Sequence, residues 1–95
     1  MKRDDFEIWL QEVDGERRRW TVKFRPMTKG EHAITYWYKR EIVINSRRRN
    51  RHALRGTIIH EAQHVACGDI VTEAAVLRTE SNASDLLDAC GFGTG

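Results

Sequence analysis

Apolar and polar residues alternate along the first half of the chain, and the period changes in the second. Phe6-Glu7-Ile8-Trp9-Leu10 partly alternates. Trp20-Thr21-Val22-Lys23-Phe24 alternates cleanly, which sets Trp20, Val22 and Phe24 on one face of a strand. Asp14-Gly15 between the two runs is a hairpin turn signal. Pro26 and Gly30 bracket a loop. Ile34-Thr35-Tyr36-Trp37-Tyr38 and Glu41-Ile42-Val43-Ile44 are β-branched and aromatic, separated by Lys39-Arg40, and they read as a second hairpin. The expected product is a small antiparallel sheet of three to four strands.

From Arg51 onward the apolar positions follow a helical period. Leu54, Ile58 and Val65 fall on one face, with no proline in the run. Asn50 is a suitable N-cap and Gly68 a suitable C-cap, so a helix over 51–67 is expected. Asp69 or Thr72 can cap a second helix, about 73–89, with Val76, Leu77, Ala83, Leu87 and Cys90 turned inward. Residues 91–95 form a short, glycine-rich tail expected to be loose. The predicted fold class is α+β: the sheet first, then two helices, as a single domain over residues 1–95.

Composition agrees with that reading. Ninety-five residues at 40% hydrophobic and 32% charged suit one globular domain with one modest core. Met1-Lys2-Arg3-Asp4-Asp5 is charged, and no apolar run follows that reads as a signal segment or membrane span, so no membrane contact and a cytoplasmic location are expected. Cys67 and Cys90 make no disulfide framework and no C-x-x-C pair, so reduced thiols are expected. The net charge of +2 is small, but arginine is concentrated in Arg17-Arg18-Arg19 and in Arg47-Arg48-Arg49 with Arg51. Both clusters flank strand or helix starts and read first as solvated rims. Contact with nucleic-acid phosphate is their second reading.

The candidate chemistry lies in the second half of the first helix, where His60-Glu61-Ala62-Gln63-His64 reads H-E-x-x-H. Four residues make just over one helical turn, so His60 and His64 project from one face about 6 Å apart along the axis. Two imidazoles at that spacing can reach one Zn²⁺. Glu61 lies about 100° round the helix from His60, too far round to be a third ligand. It is placed instead to hold a zinc-bound water and act as its general base. His32 and His52 sit among charged or turn residues and read as solvated.

A catalytic zinc keeps three protein ligands and an open position. The candidates after His64 are Cys67, Asp69, Glu73, Glu80 and Asp85. Cys67 and Ile70 stand where the metzincin pattern needs glycine and histidine, so that subtype is excluded. Cys67 reads as a small packing residue and Asp69 as a cap. Glu73 opens the returning helix, where a short loop brings it back over the motif, and it is the favoured ligand; a carboxylate favoured by the helix N-terminus is its plainer reading. Glu80, two turns on, is the weaker candidate and suits a hydrogen-bond partner to a ligand. No histidine or tyrosine after Glu73 offers itself as an oxyanion donor, and Tyr36 and Tyr38 read as packing residues.

Residues 41–92 resemble the small phage and bacterial metallopeptidases of the minigluzincin and SprT-like kind. The matching segments are Glu41-Ile42-Val43-Ile44, Ile58 through Ala66 with its H-E-x-x-H, Glu73-Ala74-Ala75-Val76, and Gly91-Phe92. The resemblance covers roughly half the chain; residues 1–40 share only a richness in strands. It implies that His60, His64 and Glu73 bind Zn²⁺ and that Glu61 is the general base. It also implies an activity on peptide or protein substrates in a bacterial or phage-infected cell. The rival expectation is a catalytically silent module of the same fold that binds nucleic acid or a protein partner through the arginine clusters.

Overall fold

The computed structural model describes residues 4–47 and 50–92. Arg48 and Arg49 of the second arginine cluster, Met1-Lys2-Arg3 and the last three residues of the tail lie outside the described residues. The chain order is β1 (Phe6–Gln11), β2 (Arg17–Arg25), β3 (Ala33–Tyr36), β4 (Glu41–Asn45), α1 (Arg51–Cys67) and α2 (Glu73–Ala89). The architecture is α+β, one four-stranded sheet followed by two helices.

The sheet is mixed, which corrects the expectation of an all-antiparallel one. Its strand order is β1-β2-β4-β3, and β2 pairs with β4 in parallel, Val22 opposite Ile42 and Phe24 opposite Ile44. Both expected hairpins do form: β1 with β2, and β3 with β4. The difference lies in how they dock. The chain leaves β2 through the loop at 26–32, lays β3 down as an edge, and turns back so that β4 fills the slot between. The parallel crossover needs a dozen or more residues, and the loop, β3 and its turn supply them. β4 takes the interior slot because Ile42 and Ile44 are both about 1% exposed there, whereas Ala33 and Thr35 of β3 are only half-buried.

β3 is shorter than the aromatic run suggested. Trp37 and Tyr38 fall in the turn, which Arg40 N–H closes on the Trp37 carbonyl at 3.1 Å, with Arg40 at φ +51°. The β1–β2 turn falls where Asp14-Gly15 predicted it. Gly15 takes φ +84°, the Asp14 carboxylate accepts from Glu16 N–H at 3.0 Å, and Arg18 holds the same carboxylate, drawing its pKa down to about 2.

Both helices form over the expected residues. The Asn50 side chain accepts from Ala53 N–H at 3.1 Å, and the Thr72 hydroxyl accepts from Ala75 N–H at 3.0 Å. Gly68 ends α1 at φ +57°, returning its N–H to the His64 carbonyl. The helices cover one face of the sheet and pack on each other. Trp20, Leu10, Val22, Ile42, Ile44, Leu54, Ile58, Val65 and Leu86 form the core between the layers. The inward stripe of α2 differs from expectation: Ala83 and Cys90 are buried and Leu87 packs against the core, but Val76 and Leu77 are exposed. Ala75, Asn82 and Leu86 take the inward positions. Asn82 is fully buried because its amide pairs with both backbone groups of one β1 residue, accepting from Gln11 N–H and donating to the Gln11 carbonyl at 2.8 Å each. Cys67 and Cys90 are buried free thiols, and burial pushes the Cys90 pKa up to about 11. No helix among the described residues is long and apolar enough to cross a membrane.

Candidate metal centre

α1 turns Leu54, Ile58, Ala62 and Val65 to the core, which leaves His60 and His64 on its exposed side. Because they are four residues apart, the two rings stack one turn above the other. Their centroids are 4.4 Å apart at an interplanar angle of 85°, and their Nε2 atoms face each other at 2.9 Å. Neutral imidazoles in that pose can share one proton between the two nitrogens. Two facing lone pairs repel, and a cation between them removes the repulsion. Two imidazoles on one tetrahedral zinc would hold their nitrogens about 3.3 Å apart, within a few tenths of an ångström of this spacing.

Glu61 lies between these rings and the sheet. It is 4% exposed, and its carboxylate and the two imidazoles offer ligand atoms that all lie within 4.8 Å of one another. Burying a carboxylate costs several kcal/mol unless it is paired or hydrogen-bonded. Among the described residues Glu61 has no ion pair; the Thr35 hydroxyl on β3 donates to its Oε2. Two converging imidazoles suit a divalent cation as ligands, and the buried carboxylate beside them suits the water such a cation would carry, so the residues present fit zinc in this sense.

The site opens into a cleft of about 610 Å³, whose far wall is the loop before β3, with Glu31 and His32, and the start of β3 itself. That loop is fixed by buried Asn45, whose Nδ2 donates to the Glu31 carbonyl at 2.8 Å and whose backbone N–H donates to the His32 carbonyl at 2.9 Å. His32 is exposed, as expected, yet it faces the same cleft as His60 and His64. Sequence reasoning did not bring it there, nor did it single out Thr35. The β3–β4 register decides both positions, and only the alternation of Thr35 with Ile34 and Tyr36 hinted that it faces the helices.

The acids weighed as third ligand are spread apart. Glu73, the first residue of α2, is exposed, makes no ion pair among the described residues and lies outside the 4.8 Å group. Asp69 borders a separate hollow with Val13 and Trp37. Glu80 borders a cleft with Arg55 and Ile59, and Asp85 approaches Arg17 at 3.7 Å. Cys67 packs inside, its thiol 3.3 Å from the Thr79 hydroxyl. Tyr36 is on the other side of the sheet, and Tyr38 is 87% exposed. His52 is exposed in the first turn of α1.

The first arginine cluster is largely occupied. Arg18 bonds Glu12 at 2.7 Å and Asp14 at 2.8 Å, Arg19 reaches Glu7 at 3.2 Å, and Arg17 reaches Asp85. In the second, Arg51 stacks over the Phe92 ring at 4.5 Å. No family model matches the chain, and neither a curated protein nor a solved structure does.

Proposed function

We propose that this chain is a zinc-dependent metallopeptidase. The observation that carries the reading is the convergence of the His60 and His64 Nε2 atoms, 2.9 Å apart, beside the buried Glu61. His60 and His64 would hold the zinc. Glu73 is the third ligand on the strength of the resemblance to minigluzincin and SprT-like enzymes, and its exposed carboxylate has no ion pair among the described residues to break first. The metal, when bound, supplies Lewis acidity that polarises a carbonyl and eases the ionisation of water.

The chain's own groups supply the rest. Glu61 takes a proton from water as the oxygen attacks the scissile carbonyl carbon. It then returns that proton to the amine as the C–N bond breaks, and the second water proton passes from the new carboxyl group to the amine, so a carboxylate and an ammonium group leave and Glu61 is restored. β3 is an edge strand bordering the cleft, so its outer side would be the one to pair with an extended peptide. A reducing cytoplasmic setting fits the two buried free thiols.

The test separates the two glutamates. Glu61→Gln keeps shape but cannot take a proton near neutral pH, so hydrolysis should vanish with zinc retained at about one per chain. Glu73→Gln should lose zinc affinity and activity together. Zinc loss in Glu61→Gln overturns the assignment of the base, and full zinc retention in Glu73→Gln moves the third ligand to another residue, with His32 and Glu31 next to examine. The nucleic-acid reading ranks second because acidic partners already engage Arg17, Arg18 and Arg19. Changing Arg47, Arg48 and Arg49 to Ser should leave zinc content and melting unchanged, and loss of tight DNA binding in that variant would promote the second reading.

A further inference from the structure

A buried carboxylate with one neutral donor is aimed by that donor. Among the described residues, the Thr35 hydroxyl makes the one hydrogen bond that the Glu61 side chain receives. It comes from a different element and from a fixed frame. Thr35 is opposite Ile42 in the β3–β4 register, on the side of the sheet that faces α1. Ala33, Thr35 and Trp37 line a small hollow with Glu61 and His64, so the contact sits at the floor of the site. Threonine is stiff at χ1, which makes its hydroxyl a well-aimed donor. A glutamate on a helix has three rotatable side-chain bonds and no such restraint of its own.

We propose that Thr35 is the positioning residue for Glu61. Its hydroxyl holds Oε2 and thereby leaves Oε1 directed at the cleft, where it accepts the proton from water. The proposal rests on the peptidase reading above. It goes beyond that reading by giving the edge strand a part in catalysis separate from peptide pairing: β3 locks the base that α1 carries. Serine keeps the donor but loses the branched carbon. Valine keeps the branched shape and loses the donor.

Thr35→Val in the full chain should lower kcat for peptide hydrolysis tenfold or more, on the order expected when a reacting group is left free to wander, with KM within about twofold of the parent. Zinc stoichiometry should be unchanged, the melting temperature should fall by the few degrees that a lost hydrogen bond to a buried carboxylate costs, and Thr35→Ser should recover most of the lost kcat. In ¹³C-labelled, zinc-free protein the Glu61 carboxyl resonance should move in Thr35→Val and return in Thr35→Ser, a readout that needs no turnover. Parental kcat in Thr35→Val overturns the positioning role, as does an unmoved Glu61 resonance. Lost zinc in that variant, or a kcat that Thr35→Ser leaves as low as Thr35→Val, also overturns it, by showing Thr35 to act otherwise than through its hydroxyl. A parent protein that binds no zinc and cleaves no peptide fails differently: it overturns the peptidase reading itself, while the resonance still reports the contact.

Discussion

At the scale of single residues, Glu12 is the most heavily hydrogen-bonded acid among the described residues. It is 7% exposed and receives the buried Trp20 indole N–H at 2.8 Å, Arg40 Nε at 2.6 Å and Arg18 at 2.7 Å. Burial alone would raise its pKa, but the Arg40, Arg18 and Trp20 donors together outweigh burial and hold it below the usual carboxylate range. A depressed folded pKa means stability that is present above the unfolded value, about 4.3, and is lost as pH falls through the folded one. Glu12→Gln should cost about 2–3 kcal/mol at pH 7, chiefly by weakening both guanidinium contacts and the bond to the buried Trp20 N–H. That cost should shrink below pH 4, where the parent carboxylate is itself being neutralised. Urea melts of both proteins at pH 7 and pH 3 check this, and an equal gap at the two values would contradict it.

At the scale of elements, α2 is tied to the edge of the sheet by one polar side chain. Asn82 reproduces the pairing of a neighbouring strand on Gln11, so the last residue of edge strand β1 is capped. Asn82→Ala removes both bonds and leaves a small cavity in a fully buried position, and a loss of about 2–4 kcal/mol is expected in denaturant melts. Gly68 is the second element-level constraint. It ends α1 at φ +57°, and a Cβ added there would lie 3.3 Å from the Val13 Cγ1. Gly68→Ala should therefore destabilise by about 1 kcal/mol and loosen the turn that leads to Glu73. An unchanged melting temperature in that variant would show that the turn tolerates a side chain.

At the scale of the molecule, the site lies where α1 faces the edge strand, with the core of both layers behind it. A cation that binds only the folded arrangement adds to its stability, by about 4 kcal/mol at a free concentration a thousandfold above Kd. Adding chelator to the zinc-loaded protein should lower the melting temperature by several degrees, and readdition of zinc should restore it. Identical melts with and without chelator would mean that metal and fold are not linked. The outer face of the sheet has no helix over it and exposes Trp9, Ile34 and Tyr36. Three of its cations have acidic partners, Arg25 with Asp5, Lys23 with Glu41 and Arg19 with Glu7, so that face is mixed in charge.

The sequence by itself determined every element whose signal is local. Alternation marked β2, caps at Asn50 and Gly68 marked α1, and i, i+4 spacing put His60 and His64 on one side of it. It did not determine that β4 enters between β2 and β3, because a hairpin signal says which strands are neighbours and nothing about which one meets the rest of the sheet. It placed Ala83, Leu87 and Cys90 of α2 inward correctly but also Val76 and Leu77, which are exposed, and it missed Asn82, whose backbone partner is 71 residues away and is encoded by no local period. The same reason hid Thr35 and His32 from the sequence. They reach the cleft through the β3–β4 register and the loop pinned by Asn45, and long-range pairing of that kind exists only once the sheet has closed against the helices.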